Sequence, residues 1–175
     1  MPAKYIRSPK KQKRRKPLKP ERSIRDTALG LLSRREHTRL ELAGKLEARE
    51  FPAAEINPLL DDLQREGLQS DARFAESYVY SRTRRGFGPL RIRQELQARG
   101  VTESLVNTHV DFNDPQWLQL ACQEYGKKFK DPRVGSAKER ARRMRYLQNR
   151  GFTGDIIRQT FVRFERAETA SGAGA

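Results

Sequence analysis

The sequence has 175 residues, of which 35% are hydrophobic and 34% are charged, and its formal net charge at pH 7 is +15. The mean hydropathy is −0.90, and no apolar run approaches the roughly 18 residues that a membrane-spanning helix needs. No hydrophobic segment follows the basic N-terminus as in a signal peptide, so we expect a soluble, cytoplasmic protein with a thin hydrophobic core.

The N-terminal segment, residues 1–20, is the most basic part of the chain, with nine Lys and Arg residues and no acidic residue. Prolines and like charges that repel one another predict a disordered basic arm here. Such an arm is either a solubilising tail or a weak, nonspecific contact for nucleic acid, and we favour the second. The arm residues expected to contact nucleic acid are Lys10, Lys11, Lys13, Arg14, Arg15 and Lys16.

Three similar stretches follow at a nearly constant spacing: KLEAREF at 45–51, ELQARGV at 95–101 and YLQNRGF at 146–152. A fixed period of this size is typical of a repeat architecture. We therefore divide the chain into three three-helix repeats, followed by a disordered tail without apolar residues to bury. The predicted boundaries are 21–66, 67–113 and 114–166 for the repeats and 167–175 for the tail.

Capping residues and prolines mark the starts of about nine helices, and no segment shows the alternating pattern of a strand. Pro58 falls inside the third predicted helix and should kink it or delay its start. The predicted starts follow Ser23, Thr38 and Pro52 in repeat one, Ser70, Gly88 and Thr102 in repeat two, and Asp114, Ser136 and Thr153 in repeat three. The predicted fold class is all-α.

The recurring arginines and most aromatic residues are expected to have structural roles rather than to bind a partner. The arginines that recur near each predicted helix end, Arg49, Arg99 and Arg150, should bond helix-end carbonyls. The aromatic residues at helical spacing should lie in the core rather than stack on bases. These expected core residues are Phe74, Tyr78, Trp117 and Tyr125, together with Cys122.

The middle repeat, SDARFAESYVYSRTRRGFGPLRIRQELQARGV at 70–101, resembles the signature of the RecX family, regulators of the bacterial RecA recombinase. The first- and third-repeat stretches TRLELAGKLEAREF and YLQNRGF also match the family, so that the resemblance covers roughly residues 24–164. The matching residues in the middle repeat are Asp71, Arg73, Phe74, Ala75, Tyr78, Arg82, Gly86, Gly88, Ile92, Glu95, Leu96, Gly100 and Val101.

The resemblance implies a non-enzymatic protein whose three repeats form an elongated, curved stack. It also implies binding in the groove of RecA filaments on single-stranded DNA, with inhibition of ATP hydrolysis, strand exchange and coprotease action. Two features depart from the family. Glu50 stands where the family usually has Gly, so the helix end in repeat one could differ, and the basic arm is not a general family feature.

The predicted helix Ser136–Arg150 is the strongest candidate for a binding site. At about 100° per residue, Lys138, Arg142 and Arg145 lie on one side, which we call the α8 basic face, with Asn149 beside it. Glu139 is the only acidic residue of this helix, so binding to a phosphate backbone or an acidic filament groove is favoured over a merely solvated surface. Ala137, Ala141, Met144 and Leu147 lie on another side, and Arg140, Arg143 and Arg150 are expected to broaden the basic surface.

A second candidate is the loop that ends the first helix of repeat two. Arg82, Arg84, Arg85 and Phe87 could be presented to the recombinase there. Alternatively, the glycines at 86 and 88 only permit the turn while Phe87 fills the core, and the sequence does not decide between these two interpretations.

An enzyme is not predicted. Cys122 is the only cysteine, and the two histidines are isolated, so neither a disulfide nor a zinc site is expected. The adjacent carboxylates Asp61 and Asp62 point about 100° apart on a helix, although Asp62 and Glu66 share a face, and no phosphate-binding glycine-rich motif occurs. We therefore expect no metal and no cofactor.

The sequence thus predicts a monomeric negative regulator that binds the RecA filament and DNA, single-stranded or also double-stranded, and modulates recombination and the DNA-damage response. The alternative is a stand-alone, sequence-nonspecific protein that binds DNA or RNA.

Overall fold

The computed structural model describes residues 23–131 and 134–172, with side chains to residue 166, and the predicted basic arm at 1–20 lies outside these ranges. The described residues form nine α-helices and no strand, which confirms the all-α prediction and the three tandem three-helix repeats. Repeat one contains α1 (Ile24–Leu32), α2 (Arg39–Glu47) and α3 (Ala53–Arg65). Repeat two contains α4 (Asp71–Arg84), α5 (Pro89–Gln97) and α6 (Glu103–His109), and repeat three contains α7 (Gln116–Lys128), α8 (Ala137–Asn149) and α9 (Gly154–Gly172).

Side-chain caps begin several helices where the sequence predicts them. The Thr38 hydroxyl accepts a hydrogen bond from the Glu41 amide at 3.0 Å, and Ser136 accepts one from the Glu139 amide at 3.2 Å. These bonds satisfy amides of the first helical turn, which have no partner within the helix. Pro58 does not delay α3, which begins at Ala53, since the Pro52 carbonyl already accepts the first amides of that helix.

The last helix is longer than predicted. Residues 167–175 are expected from their composition to be unstructured, but α9 continues to Gly172. The reason is that extending an existing helix adds one hydrogen bond for each residue that is fixed, and Ala and Glu are good helix formers. The predicted boundary at residue 166 is therefore wrong.

Each of the three repeated stretches ends a helix with the same turn. The residues at 50, 100 and 151 have positive φ angles of 66°, 80° and 88°. In each turn the next amide donates back to the repeated leucine, for example Val101 to the Leu96 carbonyl at 3.2 Å and Phe51 to the Leu46 carbonyl at 3.3 Å. Glu50 therefore adopts the conformation that glycine adopts in the other two repeats, and the expected local difference does not occur.

The substitution Glu50→Gly is expected to raise the free energy of unfolding by about 1 kcal/mol, because a side chain in the left-handed region is strained and glycine is not. Urea denaturation measures this difference. The matched control is Glu47→Gly at the exposed end of α2, which should lower the free energy of unfolding by up to about 1 kcal/mol. Equal destabilisation by the two substitutions would contradict the assignment.

The recurring arginines bond helix-end carbonyls as predicted. Arg49 donates to the Lys45 carbonyl and Arg99 to the Glu95 carbonyl, each at 2.6 Å. Arg150 instead donates to the carbonyls of Arg85 and Gly86, at 3.0 and 3.1 Å, and so joins repeat three to the end of α4 in repeat two.

The hydrophobic residues that the structure describes form two separate cores. Repeats two and three share one core, which includes the buried side chains of Phe74, Trp117 and Tyr125 as predicted, whereas repeat one has its own core around Leu42 and Leu60. Cys122 is only partly buried. Repeats two and three are thus one packed unit, to which repeat one is attached.

Backbone atoms form the junction between repeats two and three. The Gly88 amide donates to the Arg150 carbonyl at 2.7 Å, and the Leu90 amide donates to the Gly151 carbonyl at 3.0 Å. These bonds fix α8 against the start of α5, and only glycine at 88 and 151 leaves room for the two chains to approach.

Polar side chains form the junction between repeats one and two. Asp71 accepts the Arg39 amide at 2.8 Å, and the Gln69 side chain donates to the His37 carbonyl at 3.1 Å. His37 is buried, and its Nδ1 lies 3.1 Å from Glu41. Burial lowers the pKa of His37 below 6.5, against the effect of its hydrogen bond to Glu41; the positive charge of Arg35 also lowers it.

This junction is expected to weaken in mild acid. Because the pKa of His37 is lower in the folded protein than in the unfolded chain, the unfolded chain binds the proton more tightly. The free energy of unfolding therefore has its full value above about pH 6.5 and decreases as the pH falls below it. Urea denaturation at about pH 7.5 and about pH 5.5 should show this loss, and His37→Gln should reduce it. The matching change at the other histidine, His109→Gln, should leave the loss intact, and a loss that persists in His37→Gln would contradict the prediction.

Candidate functional site

The helix α8 places two cations in solvent on the basic face. Lys138 and Arg145 are exposed, and within the described residues neither side chain has a hydrogen bond or an ion pair. They lie two helical turns apart, about 10 Å along the axis. Leu147, fully buried on the other side, holds α8 against repeat three. These two side chains can therefore meet a polyanion without first breaking an internal bond.

Arg142, the third member of the basic face, is already engaged. Its guanidinium makes two hydrogen bonds to Glu139, each at 2.7 Å. The hydrogen bond from Arg142, followed in size by the one from Arg143, lowers the pKa of Glu139 to about 2, so this carboxylate stays charged at neutral pH. Glu139 thus neutralises part of the positive charge that the sequence predicts at this position.

Arg143 is not on the surface, contrary to its expected place among the binding residues. Only 5% of it is exposed, and it donates to the Tyr125 hydroxyl and the Asp131 carbonyl, each at 2.9 Å, and to Glu139 at 2.7 Å. Its guanidinium also lies over the Phe129 ring. A buried charge needs such partners, so Arg143 is a packing residue of repeat three. Its i, i+4 relation to Leu147 is the sequence signal for this placement.

Arg140 and Arg150 also bond within the protein. Arg140 pairs with Glu165 at 2.5 Å and lies over the Phe161 ring, which joins α8 to α9. Arg150 lies 3.2 Å from Glu124, in addition to its bonds at the end of α4. Of the six arginines and lysines that the sequence places in this site, the structure leaves Lys138 and Arg145 fully available.

The loop after α4 is mostly structural. Phe87 is half-buried against the core, with the guanidinium groups of Arg91 and Arg82 at 4.3 and 5.4 Å from its ring centre. Arg82 also bonds the Tyr78 hydroxyl at 2.9 Å and pairs with Glu95 at 2.8 Å. This network favours the interpretation in which Phe87 fills the core and the glycines permit the turn.

Two other arginines of this region remain on the surface. Arg84 donates to the Tyr80 hydroxyl at 3.0 Å, and Arg85 is exposed with no side-chain partner among the described residues. Tyr80 itself is 64% exposed, an aromatic contact residue that the sequence analysis did not single out. The four-residue spacing between Tyr80 and Arg84 on α4 is the signal that identifies the pair.

The acidic residues considered as catalytic candidates are separated by ion pairs. Asp61 pairs with Arg39 at 2.7 Å, and Asp62 pairs with Arg65 at 2.8 Å. Within residues 23–131 and 134–166, no group of His, Cys, Asp or Glu side chains could hold a metal ion. A search of the helices in the same part of the chain finds none that could cross a membrane.

Comparisons with known proteins agree with this architecture repeat by repeat. Residues 25–63, 70–109 and 114–161 match the first, second and third three-helix domains of RecX. The regulatory protein RecX of Chromohalobacter salexigens is 46% identical over 142 residues, which cover 81% of this chain and 93% of that protein. The protein of the same name from Halorhodospira halophila is 42% identical over 136 residues, which cover 78% and 84%.

The fold is also that of a solved structure. The crystal structure of RecX from Lactobacillus salivarius superimposes with a TM-score of 0.70 at 20% identity, over 81% of this chain and 94% of that one. Three matched domains and close relatives along most of the sequence establish that the chain belongs to the RecX family, as a regulatory protein and not an enzyme.

Proposed function

We propose that this chain binds the filament that RecA forms on single-stranded DNA and inhibits its ATP hydrolysis, strand exchange and coprotease activity. It would thereby modulate homologous recombination and the DNA-damage response. Membership of a family of regulatory proteins, together with the implied interaction with RecA, supports this proposal. The single observation that carries the proposed site is the pair of unpartnered cations, Lys138 and Arg145, on the surface of α8.

The distribution of charge suggests how the protein lies on the filament. Residues 21–66 have a net charge of −2, whereas residues 121–166 have a net charge of +8. Among the three repeats, repeat three is therefore the one that an acidic or phosphate surface attracts most strongly. A monomer with three repeats in a row would make many modest contacts with neighbouring RecA subunits, which add up through multivalency.

A stand-alone DNA- or RNA-binding protein is the second candidate, favoured by the nine basic residues of the N-terminal arm. Contacts with phosphates alone would give sequence-independent binding that weakens steeply with salt, and naked DNA would bind as well as the filament. We place the arm in an accessory role, in which nonspecific attraction to DNA raises the local concentration of the regulator near its filament.

ATP hydrolysis by the RecA of the same organism on single-stranded DNA tests the proposal. The chain is titrated into preformed filaments at near-physiological salt, about 0.15 M. Inhibition at well below one protein per RecA subunit is the expected result. Unchanged hydrolysis at equimolar protein would contradict the proposed inhibition.

A further inference from the structure

A shallow groove of about 590 Å³ runs along the outer side of repeat three, between α7 and α9. It lies apart from the α8 basic face, because α8 packs against another side of α9 through the pair of Arg140 and Glu165. The groove is lined by Leu118, Arg158, Gln159, Val162, Arg163 and Arg166.

The floor of the groove is apolar and uncovered. Val162 is 42% exposed, and Leu118 from the neighbouring helix is only partly buried. These two residues come from different helices, so the apolar strip is formed by the packing of α7 on α9. A side chain of suitable size could be buried between them.

The edges of the groove are positively charged. Arg158 and Arg166 lie one turn before and one turn after Val162 on α9, and Arg163 follows it directly. Asp155 pairs with Arg158, and none of the described residues that line the groove is acidic. A ligand that enters here therefore meets an apolar strip with positive charge on both sides.

We propose that this groove binds an acidic peptide segment that carries an apolar anchor residue. Carboxylates on the segment would pair with the Arg163 guanidinium, beside the positive charges of Arg158 and Arg166, and the anchor would cover Val162 and Leu118. A nucleic acid fits less well, since the described lining residues include no aromatic side chain on which a base could stack. A phosphate backbone would also bury no apolar surface against Val162 and Leu118. The proposal adds a protein-binding surface to repeat three and does not depend on how the α8 basic face is used.

Fluorescence anisotropy of a labelled probe peptide tests the proposal at about 0.15 M salt. The probe is a fluorescein-labelled peptide of about a dozen residues, all Glu and Ser except for one central Leu, and the second peptide has Ser in place of that Leu. The protein variants are Val162→Ser, which changes an exposed residue, and Arg163→Glu. The matched control for Arg163→Glu is Lys138→Glu on the α8 basic face. Both substitutions lie in repeat three and change the net charge of the protein by the same amount.

Wild-type protein should bind the Leu peptide about fivefold more tightly than the Ser peptide, and this preference should fall below about twofold in Val162→Ser. Arg163→Glu should weaken binding of the Leu peptide about tenfold, and Lys138→Glu about twofold or less. The proposal is overturned if the preference for Leu is absent or survives in Val162→Ser. It is also overturned if oligothymidylate displaces the peptide from wild-type protein but not from Arg163→Glu, which would assign the groove to nucleic acid.

Discussion

Reversal of both free charges on α8, in the double variant Lys138→Glu, Arg145→Glu, is expected to raise the concentration that half-inhibits RecA by about tenfold or more. Each reversal replaces an attraction to phosphate or acidic protein with a repulsion, and a tenfold change corresponds to about 1.4 kcal/mol. Neither side chain has a partner to lose within the described residues, so the fold should be unaffected. Circular dichroism and urea denaturation check that point.

The matched control is the double variant Arg34→Glu, Lys45→Glu on repeat one, which changes the net charge of the protein by the same amount. Neither of these side chains makes an ion pair among the described residues. It should alter inhibition by less than about threefold. Equal effects of the two double variants would show that only the overall charge matters and would contradict the orientation with repeat three on the filament.

Arg142 is left unchanged in this experiment for a structural reason. Its bidentate pair with Glu139 would be replaced by two facing carboxylates, so reversal there would combine a binding effect with a local destabilisation. Arg143 is unsuitable for a stronger reason, because its removal would leave partners in the core of repeat three unsatisfied.

Gly88→Ala is expected to lower the free energy of unfolding by about 3 kcal/mol. The backbone at Gly88 has a φ of −84°, which alanine adopts readily, so local strain is not the cause. A methyl group there would lie 2.5 Å from the Gly151 carbonyl oxygen and 2.7 Å from the Phe152 amide nitrogen. The chains would have to separate, and the two backbone hydrogen bonds between repeats two and three would be lost.

Urea denaturation measures the loss, and hydrogen exchange at the amides of Gly88 and Leu90 locates it at the junction. Gly44→Ala in α2 is the matched control, since nothing lies within 4 Å of the added methyl group, and it should stabilise the protein by up to about 1 kcal/mol. A Gly88→Ala protein within about 0.5 kcal/mol of the wild type would contradict the close packing described for this junction.

Local signals in the sequence predicted most of the fold. The caps at Thr38 and Ser136 act within one helical turn, and each repeated Leu-x-x-Arg ending forms its turn within a few residues, so both can be identified without any knowledge of tertiary structure. The period of about fifty residues then gives the number of repeats. Composition alone predicts no helix after residue 166, but α9 extends to Gly172 because continuing an existing helix is favourable.

The candidate site is predicted less completely from the sequence. Whether a charged side chain is exposed or bonded within the protein depends on residues far away in the sequence. Arg143 is buried by Tyr125 of α7 and by Phe129 just after it, and Arg150 donates to carbonyls in another repeat. Helix periodicity identifies the exposed positions of Lys138 and Arg145 but says nothing about which neighbouring cations have internal partners. The groove between α7 and α9 was missed for the same reason, since neither helix alone shows it.

The most direct test of the account compares binding to the RecA filament with binding to naked single-stranded DNA as salt is raised. Fluorescence anisotropy of a labelled oligonucleotide, with and without RecA and a slowly hydrolysed nucleotide, gives both affinities over a range from about 0.05 to about 0.3 M salt. The account predicts that binding to naked DNA falls steeply while binding to the filament persists, because protein contacts add to phosphate contacts. Equal affinities that fall together would identify a stand-alone nucleic-acid-binding protein and contradict filament regulation.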